Sequence, residues 1–177
     1  MPTPSFHEDW YATADLVHIA KLIKQAPAGL LVELGAWEGK STIALANACY
    51  PRVLHVVDTW QGNLAEGEQH DTVRLARSRD VRATFEANMR AGTQGNYEAH
   101  CQDCLEYLEA LDEPVAFCHV DAAHDYDSVK TTLALLLPRL VPGVILCGHD
   151  ATHPPVRQAV EEQCPGYQTR GNVWWVG

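Results

Sequence analysis

Short runs of consecutive apolar residues alternate along the chain with segments of helical periodicity. These runs do not alternate between apolar and polar positions, and Gly, Pro or Asp bounds each of them. Such runs are typical of strands that are buried on both faces of a sheet. The pattern predicts strands at 30–34, 53–57, 115–120 and 144–147, together with a more mixed strand at 96–101.

Between these runs, apolar residues recur every three or four positions, which predicts amphipathic helices. In the first segment, Leu16, Ile19 and Ile23 have this spacing, and Pro27 and Gly29 end the pattern. The predicted helices lie at 10–25, 41–49, 81–89, 105–111, 128–140 and 155–163.

The alternation of strand and helix predicts an α/β fold whose parallel sheet is covered on both faces. Two last segments, 167–170 and 173–176, flank Gly171–Asn172 and predict a hairpin. We therefore expect a Rossmann-like, doubly wound, mostly parallel seven-stranded sheet with a C-terminal antiparallel hairpin. The length of 177 residues predicts a single domain, 1–177, that begins with an N-terminal helical segment, 1–29. The polar stretch 61–80 is long for a connection and is expected to be a lid or an acceptor loop.

The net charge of the chain disfavours some classes of binding partner. With 13 Lys and Arg against 23 Asp and Glu, the formal net charge is −10, which disfavours nucleic acid and anionic membranes as partners. No apolar run approaches the ~18 residues of a membrane span, and the N-terminus lacks the pattern of a signal peptide. We expect a cytoplasmic protein whose six cysteines are reduced thiols.

Polar residues follow the predicted strands at their carboxyl ends, where ligands bind in such sheets. After the first strand, Gly35 and Gly39 allow a tight turn before a helix whose N-terminal N–H groups suit an anionic group. Asp58 ends the second strand, 23 residues after Gly35, and has the position of an acid that binds a ribose diol. A structural turn and a helix cap are the alternative interpretations. A nicotinamide cofactor also fits, although the chain lacks the G-x-G-x-x-G pattern.

Four segments in order carry a resemblance to a known family. They read VELGAWEGKSTIALA, VVDTWQG, FCHVDAAHDYDSVKTTL and LVPGVILCGHD. This set resembles class I S-adenosylmethionine-dependent methyltransferases, and most closely the small O-methyltransferases that include macrocin-type sugar O-methyltransferases and cephalosporin-hydroxylase-like proteins. The resemblance covers roughly 30–160 of the chain.

The resemblance implies a role for each matching residue. The residues that it places around S-adenosyl-L-methionine are Glu33, Gly35, Ala36, Trp37, Gly39, Ser41, Asp58, Thr59, Trp60, Asp103, Cys104 and Asp121. Beside the resemblance, we expect Asp121, His124 and His149 to be catalytic, with His124 or His149 as the base, and Asp121, His149 and Asp150 to line the acceptor side around a divalent metal such as Mg²⁺. His149–Asp150 replaces the acidic pair of several metal-dependent relatives, so a histidine base and a metal both stay open as ways to activate a hydroxyl.

The resulting expectation is O-methylation of a small hydroxylated acceptor, such as a sugar or a natural-product intermediate. Two alternatives remain at this stage. One is a nicotinamide-linked oxidoreductase, and the other is a non-catalytic nucleoside-binding protein of the same fold. The sequence leaves the acceptor open, and a homodimer is compatible with it.

Overall fold

Seven strands form one sheet in the computed structural model, which describes residues 3–177. Met1 and Pro2, at the start of the predicted segment 1–29, lie outside the described residues. The strand order is β3-β2-β1-β4-β5-β7-β6, and β7 runs antiparallel to both of its neighbours. The strands are β1 Leu30–Leu34, β2 Leu54–Asp58, β3 Tyr97–Cys101, β4 Val115–Val120, β5 Leu140–Gly148, β6 Gln168–Arg170 and β7 Val173–Val176. This sheet confirms the predicted architecture.

Helices cover both faces of the sheet, which explains the unbroken apolar runs of the central strands. The helices are α1 Thr13–Ile23, α2 Lys40–Cys49, α3 Asp71–Ser78, α4 Val81–Gly92, α5 Cys104–Ala110, α6 Tyr126–Leu136 and α7 Pro154–Gln163. Ile19, Leu45 and Phe85 bring α1, α2 and α4 into the core on one face. Leu108, Leu133 and Val160 do the same for α5, α6 and α7 on the other face.

Successive side chains of each central strand point alternately into these two cores. Leu31 of β1 belongs to the first core and its neighbour Val32 to the second, and both are at most 1% exposed. Successive side chains of a strand point to opposite faces, so a strand inside such a sheet needs apolar residues at every position. Glu33 interrupts this pattern, and its side chain is fully buried.

The largest differences from the sequence prediction lie in three regions, whereas other element ends differ by at most four residues. The helix predicted at 10–25 begins only at Thr13, because the residues before it are extended. The polar stretch 61–80 contains a 3-10 turn, Leu64–Glu66, and then α3, which His70 caps through the N–H of Thr72. Strand β5 continues through Pro142 and Gly143, because the residues between the paired positions Leu140 and Ile145 bulge away from β4.

The strand order reverses next to β1, and this reversal creates the crevice in which ligands bind. From β1 the chain moves outward to β2 and β3, and it then returns to place β4 on the other side of β1. The loops that follow β1 and β4 therefore separate at the carboxyl edge of the sheet.

No helix within residues 3–177 has the length and apolar character that crossing a membrane requires.

Candidate functional site

A cavity opens at the crevice beside β1 and collects most of the predicted strand-end residues. Gly35, Asp58, Asp103, Asp121 and Asp150 all line it. The extended N-terminal segment and the 61–80 stretch form the rest of the wall, with side chains that include Phe6, Trp10, Asn63 and Leu64.

Gly35 lets the backbones after β1 and β4 come into direct contact. Its φ is 85°, and a Cβ at this position would lie 2.2 Å from the carbonyl oxygen of Asp121. A side chain is therefore excluded both by conformation and by space. Gly39 has a φ of 87° and immediately precedes α2, which has no side-chain cap among the described residues. The first-turn N–H groups of α2 thus suit a carboxylate of a ligand.

Asp58 organises the loop after β1 from the end of β2. Its Oδ2 accepts the N–H groups of Ala36 at 2.7 Å and Trp37 at 2.8 Å, and its Oδ1 accepts that of Trp60 at 2.6 Å. Burial raises the pKa of this carboxyl, while the three N–H groups counteract the rise. A carboxylate offers about four acceptor sites, so one site is left for a hydroxyl in the cavity.

Most of the predicted cofactor residues line the cavity, and the others lie behind its wall and support it. Ala36, Trp37, Ser41, Thr59, Asp103 and Cys104 line the cavity together with Gly35, Asp58 and Asp121. Gly39 packs against Phe85 and Met89, and Trp60 is 6% exposed behind the wall. The Nε1 of Trp60 donates to the carbonyl of Trp37 at 2.9 Å, so Trp60 supports the loop that faces the cavity.

Glu33 lies beneath the wall rather than on it. The side chain is fully buried, and neither carboxylate oxygen has a hydrogen-bond partner of ordinary geometry among the described residues. Burial raises the pKa of Glu33 to about 8, and the nearby hydroxyls of Ser41 and Thr42 offset only part of that rise. The carboxyl is therefore mostly neutral at pH 7.

The N-terminal segment is held over the cavity by an ion-pair network. Arg79, just after α3, donates to Glu8 of this segment and to Glu38 at 2.8 Å. The indole N–H of Trp37 donates to Glu8 at 3.2 Å, and the ring of Trp37 packs against Trp10 with centroids 5.5 Å apart. Segments distant in sequence thus close one side of the cavity.

At the other end of the cavity, His124 is surrounded by three carboxylates. Its Nε2 lies 3.1 Å from Asp150 Oδ2 and 3.9 Å from Asp121 Oδ1. Its Nδ1 lies 3.1 Å from Glu66 Oε1, and the same oxygen accepts the backbone N–H of His124. Glu66 thereby fastens the 3-10 turn of the 61–80 stretch to the loop after β4.

These contacts set the charges in the cluster. Burial opposes the charged imidazole, but the hydrogen bonds to Asp121, Asp150 and Glu66 outweigh it and raise the pKa of His124 to about 12. Burial likewise disfavours ionised Glu66, yet the bonds from His124 lower the pKa of Glu66 to about 2. His124 is an imidazolium at neutral pH in this arrangement, so it donates hydrogen bonds and must lose its proton before it can act as a base.

Asp150 owes its orientation to an uncommon backbone conformation. Its φ is 58°, a left-handed value that Asp tolerates better than most residues. Asn172, in the turn of the hairpin, donates to Asp150 Oδ1 at 3.0 Å. The other oxygen, Oδ2, then faces His124 and His149, and these two histidines hold the pKa of Asp150 well below its usual range against the effect of burial.

His149 lies behind this cluster and stacks on Tyr11. The two ring centroids are 4.2 Å apart, and the His149 side chain is only 5% exposed, against 25% for His124. Burial opposes the charge of His149, but Asp150 and Asp121 raise its pKa. Of the two predicted base candidates, His124 is the one that lines the cavity.

Sequence reasoning missed two residues of this site, Tyr11 and Glu66. The hydroxyl of Tyr11 donates to Asp121 and lies 2.8 Å from Nε2 of His119. Burial lowers the pKa of His119 to about 4, so this ring is neutral and can donate from Nε2. No local pattern marks Tyr11, whereas Glu66 lies in the stretch that was predicted to be a lid.

The donor set around Asp121 suits a divalent cation. Asp121, His124 and Asp150 each offer one ligand atom, and these atoms lie within 4.8 Å of one another. Nδ1 of His149, a predicted ligand, lies 4.0 Å from Asp121 Oδ1 and 3.5 Å from Asp150 Oδ2. The carboxylates suit Mg²⁺ or Mn²⁺, and an imidazole beside them also suits Zn²⁺. The residues present therefore fit a metal, with His124 as a further candidate ligand.

A family model described as "Methyltransferase domain" matches residues 32–151. No curated protein matches the chain at the level of sequence. These matched residues run from β1 to just past Asp150, and so contain the strand-end residues of the cavity.

Solved structures of several methyltransferases are similar to this chain. The O-methyltransferase NovP is 20% identical with a TM-score of 0.68, over 91% of this chain and 78% of that one. The apo structure of CalS11, a TDP-rhamnose 3'-O-methyltransferase of calicheamicin biosynthesis, is 16% identical with a TM-score of 0.62, over 92% and 78%. TomG from Streptomyces achromogenes, an O-methyltransferase of tomaymycin synthesis solved with S-adenosylmethionine, is 22% identical with a TM-score of 0.60, over 87% and 68%. At these identities the likeness shows the fold, and it favours neither alternative to a methyltransferase.

Proposed function

The chain belongs to the class I S-adenosylmethionine-dependent methyltransferases, and from this premise we propose that it methylates a hydroxyl group of a small molecule. The observation that carries the proposal is one cavity that joins the Gly35–Asp58 end to the Asp121–His124–Asp150 cluster. A methyl donor and a hydroxyl acceptor can lie side by side there, and alignment alone supplies much of the rate of such a displacement.

The Gly35 end supports the cofactor part of the proposal. S-adenosyl-L-methionine supplies an electrophilic methyl group on a sulfonium. The first-turn N–H groups of α2 would donate to the carboxylate of its methionine part, and Asp58 would accept a hydrogen bond from a ribose hydroxyl. Asp103 and Cys104 stand at the end of β3, where the adenine is expected.

The acidic cluster supports the acceptor part. Asp121 and Asp150, with His124 or His149, are the residues that would hold a divalent metal, which when bound lowers the pKa of a hydroxyl and stabilises its anion. His124 would lose its proton more readily with a cation held by Asp121 and Asp150, because like charges repel. The neutral imidazole would then serve as a metal ligand or as the base for the acceptor proton.

A polyhydroxylated acceptor, such as a sugar or a sugar-bearing natural-product intermediate, is the class that we propose. A divalent metal held by this cluster would supply a binding site for the hydroxyl groups of such an acceptor. CalS11 is a TDP-rhamnose 3'-O-methyltransferase, and its sugar substrate agrees with this class. The aromatic side chains of Trp10 and Trp37 offer flat apolar surface for the rest of the acceptor.

Calorimetric binding of S-adenosylhomocysteine tests the cofactor end. We expect Asp58→Asn to weaken binding, on the order of tenfold or more, because each lost hydrogen bond to a charged group costs about 1.5–3 kcal/mol. Asp127→Asn is the matched control, since Asp127 is exposed on α6. Equal affinity of both variants and the wild type, or binding of NAD in place of the nucleoside, would contradict the proposal.

Release of S-adenosylhomocysteine over a panel of sugars, phenols and carboxylic acids tests the acceptor end. We expect turnover of a polyhydroxylated acceptor that a chelator abolishes and Mg²⁺ or Mn²⁺ restores. Asp121→Asn and His124→Ala should lower kcat at least about 100-fold, within the range of a lost acid–base group. Full activity in the chelator would exclude an essential metal, and unchanged rates for His124→Ala would remove its role.

A further inference from the structure

A second group of metal-ligating side chains lies on the edge strand β3 and its neighbour β2. His55 of β2 pairs in register with Glu98 of β3, and His100 follows two residues later on the same face. This is the face covered by α5, whose Tyr107 ring lies 5.1 Å from the His100 ring. The cavity of the proposed methyltransferase site lies instead beyond the carboxyl ends of the strands.

The three side chains converge on a common point. Nδ1 of His55 lies 3.1 Å from Nε2 of His100, and that nitrogen lies 3.8 Å from Oε1 of Glu98. The ligand atoms of all three lie within 4.8 Å of one another. Two nitrogens bound to one tetrahedral zinc at about 2.0–2.1 Å stand roughly 3.3 Å apart. The donor atoms thus already have nearly the spacing of a filled site, on strands that are fixed by the sheet.

The surroundings of His100 also suit a neutral metal ligand. Burial lowers the pKa of His100, and a charge on His55 would lower it further, although Glu98 opposes this. Nδ1 of His55 and Nε2 of His100 are within hydrogen-bond distance, so both of these facing nitrogens cannot carry a proton. A metal requires neutral imidazoles, which this arrangement favours.

We propose that His55, Glu98 and His100 bind one divalent transition-metal ion of the zinc class, with water completing its coordination. Two imidazoles and a carboxylate favour Zn²⁺, Cu²⁺ or Ni²⁺ over Mg²⁺, which prefers oxygen ligands. Glu98 is exposed, so an ion reaches the site directly from solvent. The bound metal joins the edge strand to β2, where side-chain packing alone gives β3 little support because three of its five residues are exposed.

Calorimetric titration of the metal-free full chain with Zn²⁺ tests this site. The starting variant is Asp121→Asn/Asp150→Asn, which removes the acidic cluster as a competing site. We expect this variant to bind one Zn²⁺ and to become thermally more stable when it does. Mg²⁺ should neither bind at this site nor raise the thermal stability. Adding His55→Gln/His100→Gln should abolish both effects. Glu98→Gln should weaken Zn²⁺ binding at least about tenfold, the effect that loss of even an outer-shell partner produces.

Glu109→Gln is the matched control, because Glu109 is an exposed carboxylate on α5 that should leave Zn²⁺ binding unchanged. Far-ultraviolet circular dichroism checks that each variant is folded. Glu98→Gln carries the test if the double histidine variant does not fold, since its side chain is exposed. The proposal is overturned if the starting variant binds no Zn²⁺, or if Glu98→Gln binds as tightly as Glu109→Gln. In that case His55 and His100 would form only a hydrogen bond between their imidazoles and would hold no metal. Neither result depends on methyl transfer.

Discussion

Glu33 is the residue whose observed environment differs most from the sequence prediction. Its place at the end of β1 led to a prediction of cofactor contact, yet its carboxyl is fully buried under the cavity wall. The position of this carboxyl near the site could be predicted, because strand ends meet at one edge of the sheet. Its burial could not be predicted, because burial depends on the way α2 packs over β1.

The raised pKa of Glu33 makes the stability of the fold depend on pH. Below pH 4.5 the carboxyl is protonated in both states, so the buried neutral form is not penalised. Between pH 4.5 and about 8 only the unfolded chain ionises at this residue, so stability falls as pH rises through this window. Each pH unit removes up to about 1.4 kcal/mol.

Glu33→Gln should therefore gain stability relative to the wild type as pH rises from 5 to 8. Urea unfolding at pH 5, 6.5 and 8 measures the difference. Glu106→Gln, at an exposed position on α5, should show a constant difference from the wild type. A constant difference for Glu33→Gln as well would mean that the buried carboxyl has an ordinary pKa.

At the scale of elements, the 61–80 stretch and the N-terminal segment depend on each other. The sequence predicted a lid from the polarity of this stretch, and the structure adds α3 and the contacts that hold it. Tyr11, Glu66 and Arg79 could not be predicted, because hydrophobic periodicity locates elements and not the polar contacts between distant segments. Tyr11 and Asp121 are 110 positions apart, and Glu66 and His124 are 58 apart.

Arg79 is the link on which this arrangement depends most. Its side chain is 20% exposed, and its guanidinium pairs with Glu8 and with Glu38, whose side chain is only 2% exposed. Arg79→Gln should lower the free energy of unfolding by about 1–3 kcal/mol, because it leaves a buried carboxylate with fewer partners. It should also speed proteolytic cleavage of the N-terminal segment.

Arg77→Gln gives the comparison, since Arg77 pairs with Glu68 and both side chains are mostly exposed. Exposed pairs contribute about 0–1 kcal/mol, so this variant should unfold and be cleaved almost as the wild type is. Chemical unfolding together with limited proteolysis distinguishes the two variants. If they behaved alike, the Arg79 network would not hold the segment in place.

For the whole molecule, the sheet and the strand-end part of the cavity wall could be predicted from the sequence. Apolar runs predicted the strands. Because parallel strands present their carboxyl ends on one edge, the residues at those ends predicted a shared site with Asp58, Asp103, Asp121 and Asp150. The identity of the base was not accessible, since the charge of His124 depends on three carboxylates from three different segments. Assembly as a homodimer stays a prediction.

The pairing of β1 with β4 also determines when the site can form during folding. These neighbours in the sheet are far apart in the chain, with Leu30 paired to Val115. Such distant pairing closes a long loop and forms slowly compared with local contacts. During synthesis the ribosome releases β1, β2 and β3 before β4, so the nascent first half carries Gly35 and Asp58 without the strand that completes their cavity. Cofactor binding is then expected to begin only after the second half has left the ribosome, and to act as a late step that selects completed chains.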